Sequence, residues 1–237
     1  MDFLILDKKL RNLFGASEDW DSDGVQVGVP GEITRAVVSL DCTSAAIMFA
    51  KKAGAGVIVT HHPLFFDPTP SKSVLKRESA CKEAGISVLS YHTCFDIVKG
   101  GVNDILCEAV GVSVDKKQSF LPFGRLGSLG ESVSFGEFLN KCETSLGVAA
   151  QNIFDAGKSV KKVAVISGGG KDYIEEVYNS GADTYLTGEV NHAAIVDCRE
   201  YGINLLCLTH FATENIAVPR LGEYVGRFVP EVICYGV

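Results

Sequence analysis

No apolar run in this chain approaches the roughly 18 residues that a membrane span requires, so no spanning helix is expected. Met1-Asp2-Phe3 brings neither a basic region nor a long apolar core, and no signal peptide is read there. Basic residues are sparse: 22 Lys and Arg stand against 29 Asp and Glu, a net charge of −7. Local runs such as Lys116-Lys117 and Lys161-Lys162 stop at two. That balance repels nucleic-acid phosphate and ranks nucleic-acid binding last among the functions considered. The eight cysteines form no C-x-x-C pair, and Cys207 and Cys234 sit inside apolar segments. Reduced thiols, and hence a cytoplasmic location, are expected rather than a disulfide framework. Low-complexity stretches and long flexible linkers are missing as well. With 46% hydrophobic and 22% charged residues in 237, the composition suits a packed core in one large or two small domains.

Histidine is scarce too, at five residues, and its placement is what the sequence says most clearly. His61 and His62 closely follow the apolar run Gly56-Val57-Ile58-Val59. His92 follows Val88-Leu89-Ser90-Tyr91, and His210 closely follows Leu205-Leu206-Cys207-Leu208. His192 comes just after Thr184-Tyr185-Leu186-Thr187-Gly188-Glu189. Each lies at or just past the C-terminal end of a strand-like segment, where open α/β sheets bind ligands. Two carry a carboxylate four positions on, as His92-x3-Asp96 and His210-x3-Glu214. Imidazole and carboxylate gathered at strand ends is the donor set of a metal site.

The chain also repeats itself, at an offset of 127 residues from Ala36 to Val163. Ala36-Val37-Val38-Ser39-Leu40 aligns with Val163-Ala164-Val165-Ile166-Ser167, both β-rich. A turn and a helix-compatible stretch follow in each, Ser44–Ala53 and Lys171–Ser180, and then Gly54-Ala55 and Gly181-Ala182, each glycine a plausible C-cap. A second pair runs from Gly85-Ile86 to His92 and Asp96, and from Gly202-Ile203 to His210 and Glu214. Alternating strands and helices imply crossovers and mostly parallel sheets. The expected fold is α/β: two similar three-layer halves related by a pseudo-twofold, with a metal site between them. Pro122-Phe123-Gly124 precedes a helix-like Phe135–Leu146, so the boundary is placed near Gly124, giving repeats over residues 1–124 and 125–237.

Five segments together resemble the Nif-three-like dinuclear metal family, whose members are often named GTP cyclohydrolase 1 type 2 homologues. They are Trp20-Asp21-Ser22-Asp23-Gly24-Val25-Gln26-Val27-Gly28, Thr60-His61-His62-Pro63-Leu64-Phe65-Phe66, His92–Asp96 with Gly100–Asp104, Gly181–Glu189, and His210–Asn215. The resemblance implies two bridged divalent ions per chain. It assigns His61, His62, Asp96, His210 and Glu214 as their ligands, and implies a homo-oligomer, expected to be a hexamer. The chain departs from the family at Cys94-Phe95, where Asn-Leu is usual. It has His192-Ala193 where a His pair often stands, and Thr209-His210 where the motif usually opens Gly-His.

Each site residue has a plainer reading. His61 and His62 as strand-end polar residues would face opposite ways, so both reach one metal centre only if the chain turns there, as Pro63 favours. Asp96 and Glu214 also suit helix N-termini, Glu214 with Thr213 as N-cap, a role compatible with ligation. Pro219 predicts that the last of these helices starts late or kinks. His92 reads either as a sixth ligand or as orienting Asp96 or a bound water. His92 and Glu189 are the candidate catalytic residues, for proton transfer; for Glu189 and His192, capping or ion pairing is the equal alternative. Gly168-Gly169-Gly170 reads as a tight turn before a phosphate cradle. In Asp21-Ser22-Asp23-Gly24 a surface turn is favoured over a cleft-lining role. Cys94 and Cys207 read as core thiols before soft ligands.

The function expected is that of a metal-dependent hydrolase acting on a nucleotide or phosphoester. Its two ions would be Zn, Fe, Mn or Ni. The alternative is a non-enzymatic metal-binding oligomer that recruits protein partners.

Overall fold

The computed structural model describes residues 1–15, 18–115 and 123–237; Lys116-Lys117 and Pro122 lie outside them. In chain order the elements are α1 (Phe3–Phe14), β1 (Gly24–Val27), β2 (Arg35–Ser39), α2 (Ser44–Ala53), β3 (Val57–Thr60), α3 (Lys72–Ala84), β4 (Ser87–Ser90) and α4 (Thr93–Ile97). Then come α5 (Val102–Val110), β5 (Ser113–Val114), β6 (Arg125–Val133), α6 (Phe135–Leu146), β7 (Asn152–Phe154), β8 (Val160–Gly169), α7 (Ile174–Asn179), β9 (Thr184–Glu189), α8 (His192–Tyr201), β10 (Asn204–Cys207) and α9 (His210–Asn215). The chain closes with α10 (Val218–Gly226) and β11 (Glu231–Cys234).

These form two compact units, residues 1–98 with 217–237 and residues 99–216. The first holds a five-stranded sheet in the order β1-β4-β3-β2-β11. All its neighbours are parallel except β1 on β4. Continuous burial of Val57-Ile58-Val59-Thr60 and Ser87-Val88-Leu89-Ser90 is what a sheet covered on both faces requires. Its crossovers are helices with sequence-encoded ends. Thr43 caps α2 by accepting from the Ala46 N–H at 3.0 Å, and Gly54 closes it in the left-handed conformation at φ 69°.

The second unit holds a six-stranded sheet, β5-β6-β8-β9-β10-β7. Its centre, β8-β9-β10, is parallel and its remaining pairings are antiparallel. The parallel expectation therefore holds for the first sheet and for the centre of the second. The helix expected over Phe135–Leu146 is α6, started by a reciprocal capping box between Ser134 and Glu137.

The repeat is visible in the hydrogen-bond register itself. Ala36 faces Val57 in β2–β3 and Val163 faces Thr184 in β8–β9, the same pairing 127 residues on. The helices differ. Lys171–Ser180 reads as helix-compatible, yet Lys171 and Asp172 form a turn and α7 begins only at Ile174, with no side-chain capping bond from Tyr173. Ser180 is its C-cap and Gly181 follows at φ 71°.

Gly124 lies inside the second unit, just before β6. The units instead part at Val98–Lys99 and Ile216–Ala217. The reason is that β11 pairs with β2, Val232 opposite Ala36, and so returns the end of the chain to the first sheet. Among the described residues no helix is long and apolar enough to cross a membrane.

Candidate metal centre

In the first unit β3 ends at Thr60 and the chain turns at His61-His62-Pro63. Thr60 and Ser90 hydroxyls both donate to the His62 carbonyl, at 2.8 and 3.1 Å, fixing that turn. His61, 2% exposed, donates from Nδ1 to the Tyr91 carbonyl at 3.0 Å. His62 donates from Nδ1 to Asp41 at the end of β2, at 2.8 Å. His92, just past β4, donates from Nδ1 to Asp21, at 3.0 and 3.1 Å to its two oxygens. Each imidazole is thus held through Nδ1, which puts the lone pair on Nε2, the state a metal-binding histidine needs. The three rings offer ligand nitrogens within 4.8 Å of one another. Asp96, in the first turn of α4, has a carboxylate oxygen 3.7 Å from Nε2 of His61.

Asp21 and Asp23 are more than a surface turn. The Asp21 side chain is fully buried, and it accepts the Thr93 N–H at 3.0 Å and the Thr93 hydroxyl at 2.6 Å. Asp23 accepts from the backbone N–H groups of His92 and Cys94. His92, at the N-cap of α4, makes no capping bond itself, so two carboxylates distant in sequence satisfy the helix start. Burial alone would push the Asp21 carboxyl up, but hydrogen bonds from His92 and Thr93 hold it well below the usual carboxylate range. For His92, burial disfavours the imidazolium, yet the bond to Asp21 and the charges of Asp96 and Asp21 raise its pKa overall.

The second unit repeats the device with other residues. His210 donates from Nδ1 to Glu189 at 3.0 Å, and its Nε2 lies 3.0 Å from Glu214. Glu214 is buried, at 4% exposure, in the last turn of α9 rather than at a helix start. The N-cap is Thr209, not Thr213, whose hydroxyl bonds back to the carbonyls of Thr209 and His210. Pro219 stands at the start of a separate helix, α10. Thr209 has φ 82°, the only non-glycine residue with positive φ among those described.

Glycines make the space. A Cβ on Gly168 would lie 2.1 Å from Oε1 of Glu214, and one on Gly188 would lie 2.8 Å from Cα of His210. The Gly168 N–H donates to Thr213 and the Gly170 N–H to the Glu189 carbonyl, so these donors serve the fold, as the tight-turn reading predicts. In the repeat alignment Gly188-Glu189 stand where the first unit has His61-His62.

Some expected residues stay apart. His192 opens α8 in an exposed position, and among the described residues no hydrogen bond or ion pair joins it to His210, Glu214 or Glu189. Cys94 and Cys207 are core thiols, and burial pushes the Cys207 thiol up to about 12. Asp41 was not singled out from the sequence; the signal was its place at the end of β2, in the same layer as the strand-end histidines.

Residues 7–235 match the family described as Duf34/NIF3 (NGG1p interacting factor 3). A GTP cyclohydrolase 1 type 2 homolog of Clostridium perfringens is 34% identical over 223 residues, 88% of this chain and 84% of that protein. One from Methanocaldococcus jannaschii is 32% identical over 213 residues, 86% of each. Among solved structures, reduced HcgD from Methanocaldococcus jannaschii superposes with a TM-score of 0.84 at 27% identity, covering 100% of this chain and 98% of that one. The Bacillus cereus protein related to NIF3 shares the fold, with a TM-score of 0.86 at 19% identity over 100% and 97% of the two chains.

Proposed function

The chain belongs to the Duf34/NIF3 family, and from that premise we propose that it is a metal-dependent hydrolase-like protein acting on a nucleotide or phosphoester. His61, His62, Asp96, His210 and Glu214 are the proposed ligands of two divalent ions per chain. Mixed imidazole and carboxylate suits zinc, iron, manganese or nickel. One observation carries the reading: four imidazoles are each anchored through Nδ1, three of them by carboxylates, so that every Nε2 is set as an electron-pair donor. Buried carboxylates, Asp96 and Glu214, stand beside two of those nitrogens.

When bound, such ions supply Lewis acidity to a hydrolytic reaction. The protein's own contribution is to orient the donors through Asp41, Asp21, Glu189 and the Tyr91 carbonyl. His92 and Glu189 are the proposed carriers of protons. The relatives' name adds purine nucleotides to the substrates to be tried.

A second reading is a non-enzymatic metal-binding oligomer that recruits protein partners. The description of the family as an interacting factor favours it. In either case we propose a cytoplasmic homo-hexamer. Elemental analysis of anaerobically purified protein, followed by a screen of phosphoesters and purine nucleotides with that metal restored, separates the two. Turnover supports the hydrolase; full metal without turnover on any of them leaves the second.

A further inference from the structure

Two aromatic residues near the histidines stay out of the core. Phe66 is 58% exposed and Trp20 is 60% exposed. The residues just before Phe66 behave differently: Leu64 is buried, and Phe65 packs on the core of the first unit. The Phe66 ring meets the His92 ring edge-on, with centroids 5.8 Å apart at 85°. His92 is anchored through Nδ1 by Asp21, the chain neighbour of Trp20. Gln26 clamps the two segments together, accepting from the Phe65 N–H at 3.1 Å and donating to the Ser22 carbonyl. Both exposed aromatics are therefore carried on segments fixed to one another and to His92.

The charge around them narrows the ligand. Asp21, Asp23, Asp41 and Asp96 gather about these histidines. The Arg11 guanidinium is engaged by Asp7 and the Asp23 carbonyl. These side chains by themselves hold no anionic group, a task that in this reading falls to the bound ions, whereas an exposed aromatic face offers a planar ring a stacking surface.

We propose that Phe66, with Trp20, forms a subsite beside His92 that stacks on a planar heteroaromatic ring of the ligand. The inference rests on the metal-site reading for its location and deepens it: the substrate carries a ring, as a nucleotide does, and is not a simple phosphoester.

Trp20 is the only tryptophan in the chain, so intrinsic fluorescence reports on this place alone. Metal-loaded, full-length protein is titrated with guanosine monophosphate, adenosine monophosphate and ribose 5-phosphate. Both nucleotides should quench saturably and ribose 5-phosphate should not. Phe66→Ala should weaken nucleotide binding about tenfold, as loss of one stacking partner predicts, and Phe66→Tyr should restore it. Metal content, measured on the same samples, should stay at the wild-type level. Absence of saturable quenching, equal binding of ribose 5-phosphate, wild-type affinity in Phe66→Ala, or loss of metal along with ring binding would each overturn the proposal. Binding without hydrolysis would sink the hydrolase reading and leave this one standing; hydrolysis without ring binding would do the reverse.

Discussion

The Glu189 carboxylate holds Nδ1 of His210 at 3.0 Å, although Glu189 occupies the repeat position that His62 fills in the first unit. There the roles are reversed: the histidine lies just past β3, and the carboxylate holding it, Asp41, lies just past β2. The same pairing of imidazole and carboxylate is thus built from different strands in the two units. Both carboxylates are well exposed, at 59% for Glu189 and 45% for Asp41, so neither is needed to fill the core.

Removing either carboxylate should therefore loosen the metal without unfolding the chain. Glu189→Ala and Asp41→Ala are each expected to weaken metal affinity roughly 10–100-fold, the usual effect of losing the group behind a ligating histidine. Competition against a chelator measures this, and thermal melting of the metal-free variants should match wild type. Unchanged affinity would refute the orienting role.

Glu214→Gln should remove most of the metal from a folded protein, since a neutral amide replaces a buried carboxylate 3.0 Å from Nε2 of His210. Wild type, carefully reconstituted, should hold two ions per chain. A stoichiometry of zero or one ends the two-ion proposal. His92→Ala should lower turnover more than metal occupancy, while His61→Ala lowers both.

Gly168→Ala should mimic Glu214→Gln and destabilise the fold as well. Its Cβ would fall 2.1 Å from Oε1 of Glu214 and force the carboxylate away. A non-glycine residue at φ 62° adds about 1–2 kcal/mol of backbone strain. Wild-type metal content in this variant would show that Glu214 has room to move.

Asp21→Ala should cost roughly 2–4 kcal/mol in denaturant unfolding, because it strands buried donors on His92 and Thr93. A surface turn would cost far less, so a loss near zero would restore that simpler reading.

Thr209 offers a test with opposite signs. A β-branched residue at φ 82° stores about 1–3 kcal/mol of strain, while its hydroxyl caps α9 at the Ala212 N–H. Thr209→Gly keeps most of the capping tendency and relieves the strain, so it should stabilise by up to about 1 kcal/mol. Thr209→Ala keeps the strain and loses the cap, and should destabilise by about 1 kcal/mol. Urea unfolding of the pair decides; both variants moving in one direction would refute the strain at Thr209.

Much of this was written in local sequence. Apolar runs marked β2-α2-β3 and its repeat β8-α7-β9, the caps at Thr43 and Gly54 bounded α2, and the same runs placed His61, His62, His92 and His210 just beyond strand ends. Those features depend on residues a few positions apart, which is why they can be read along the chain. Tertiary structure decided the rest. Asp21 reaches His92 across 71 positions and Glu189 reaches His210 across 21, so no spacing rule marks either contact. β11 rejoins the first sheet beside β2, 196 positions from Arg35 to Glu231, and so moved the division between units away from Gly124. Hydrogen bonds of that range are chosen by which strand ends the fold brings side by side, and not by the residues that precede them.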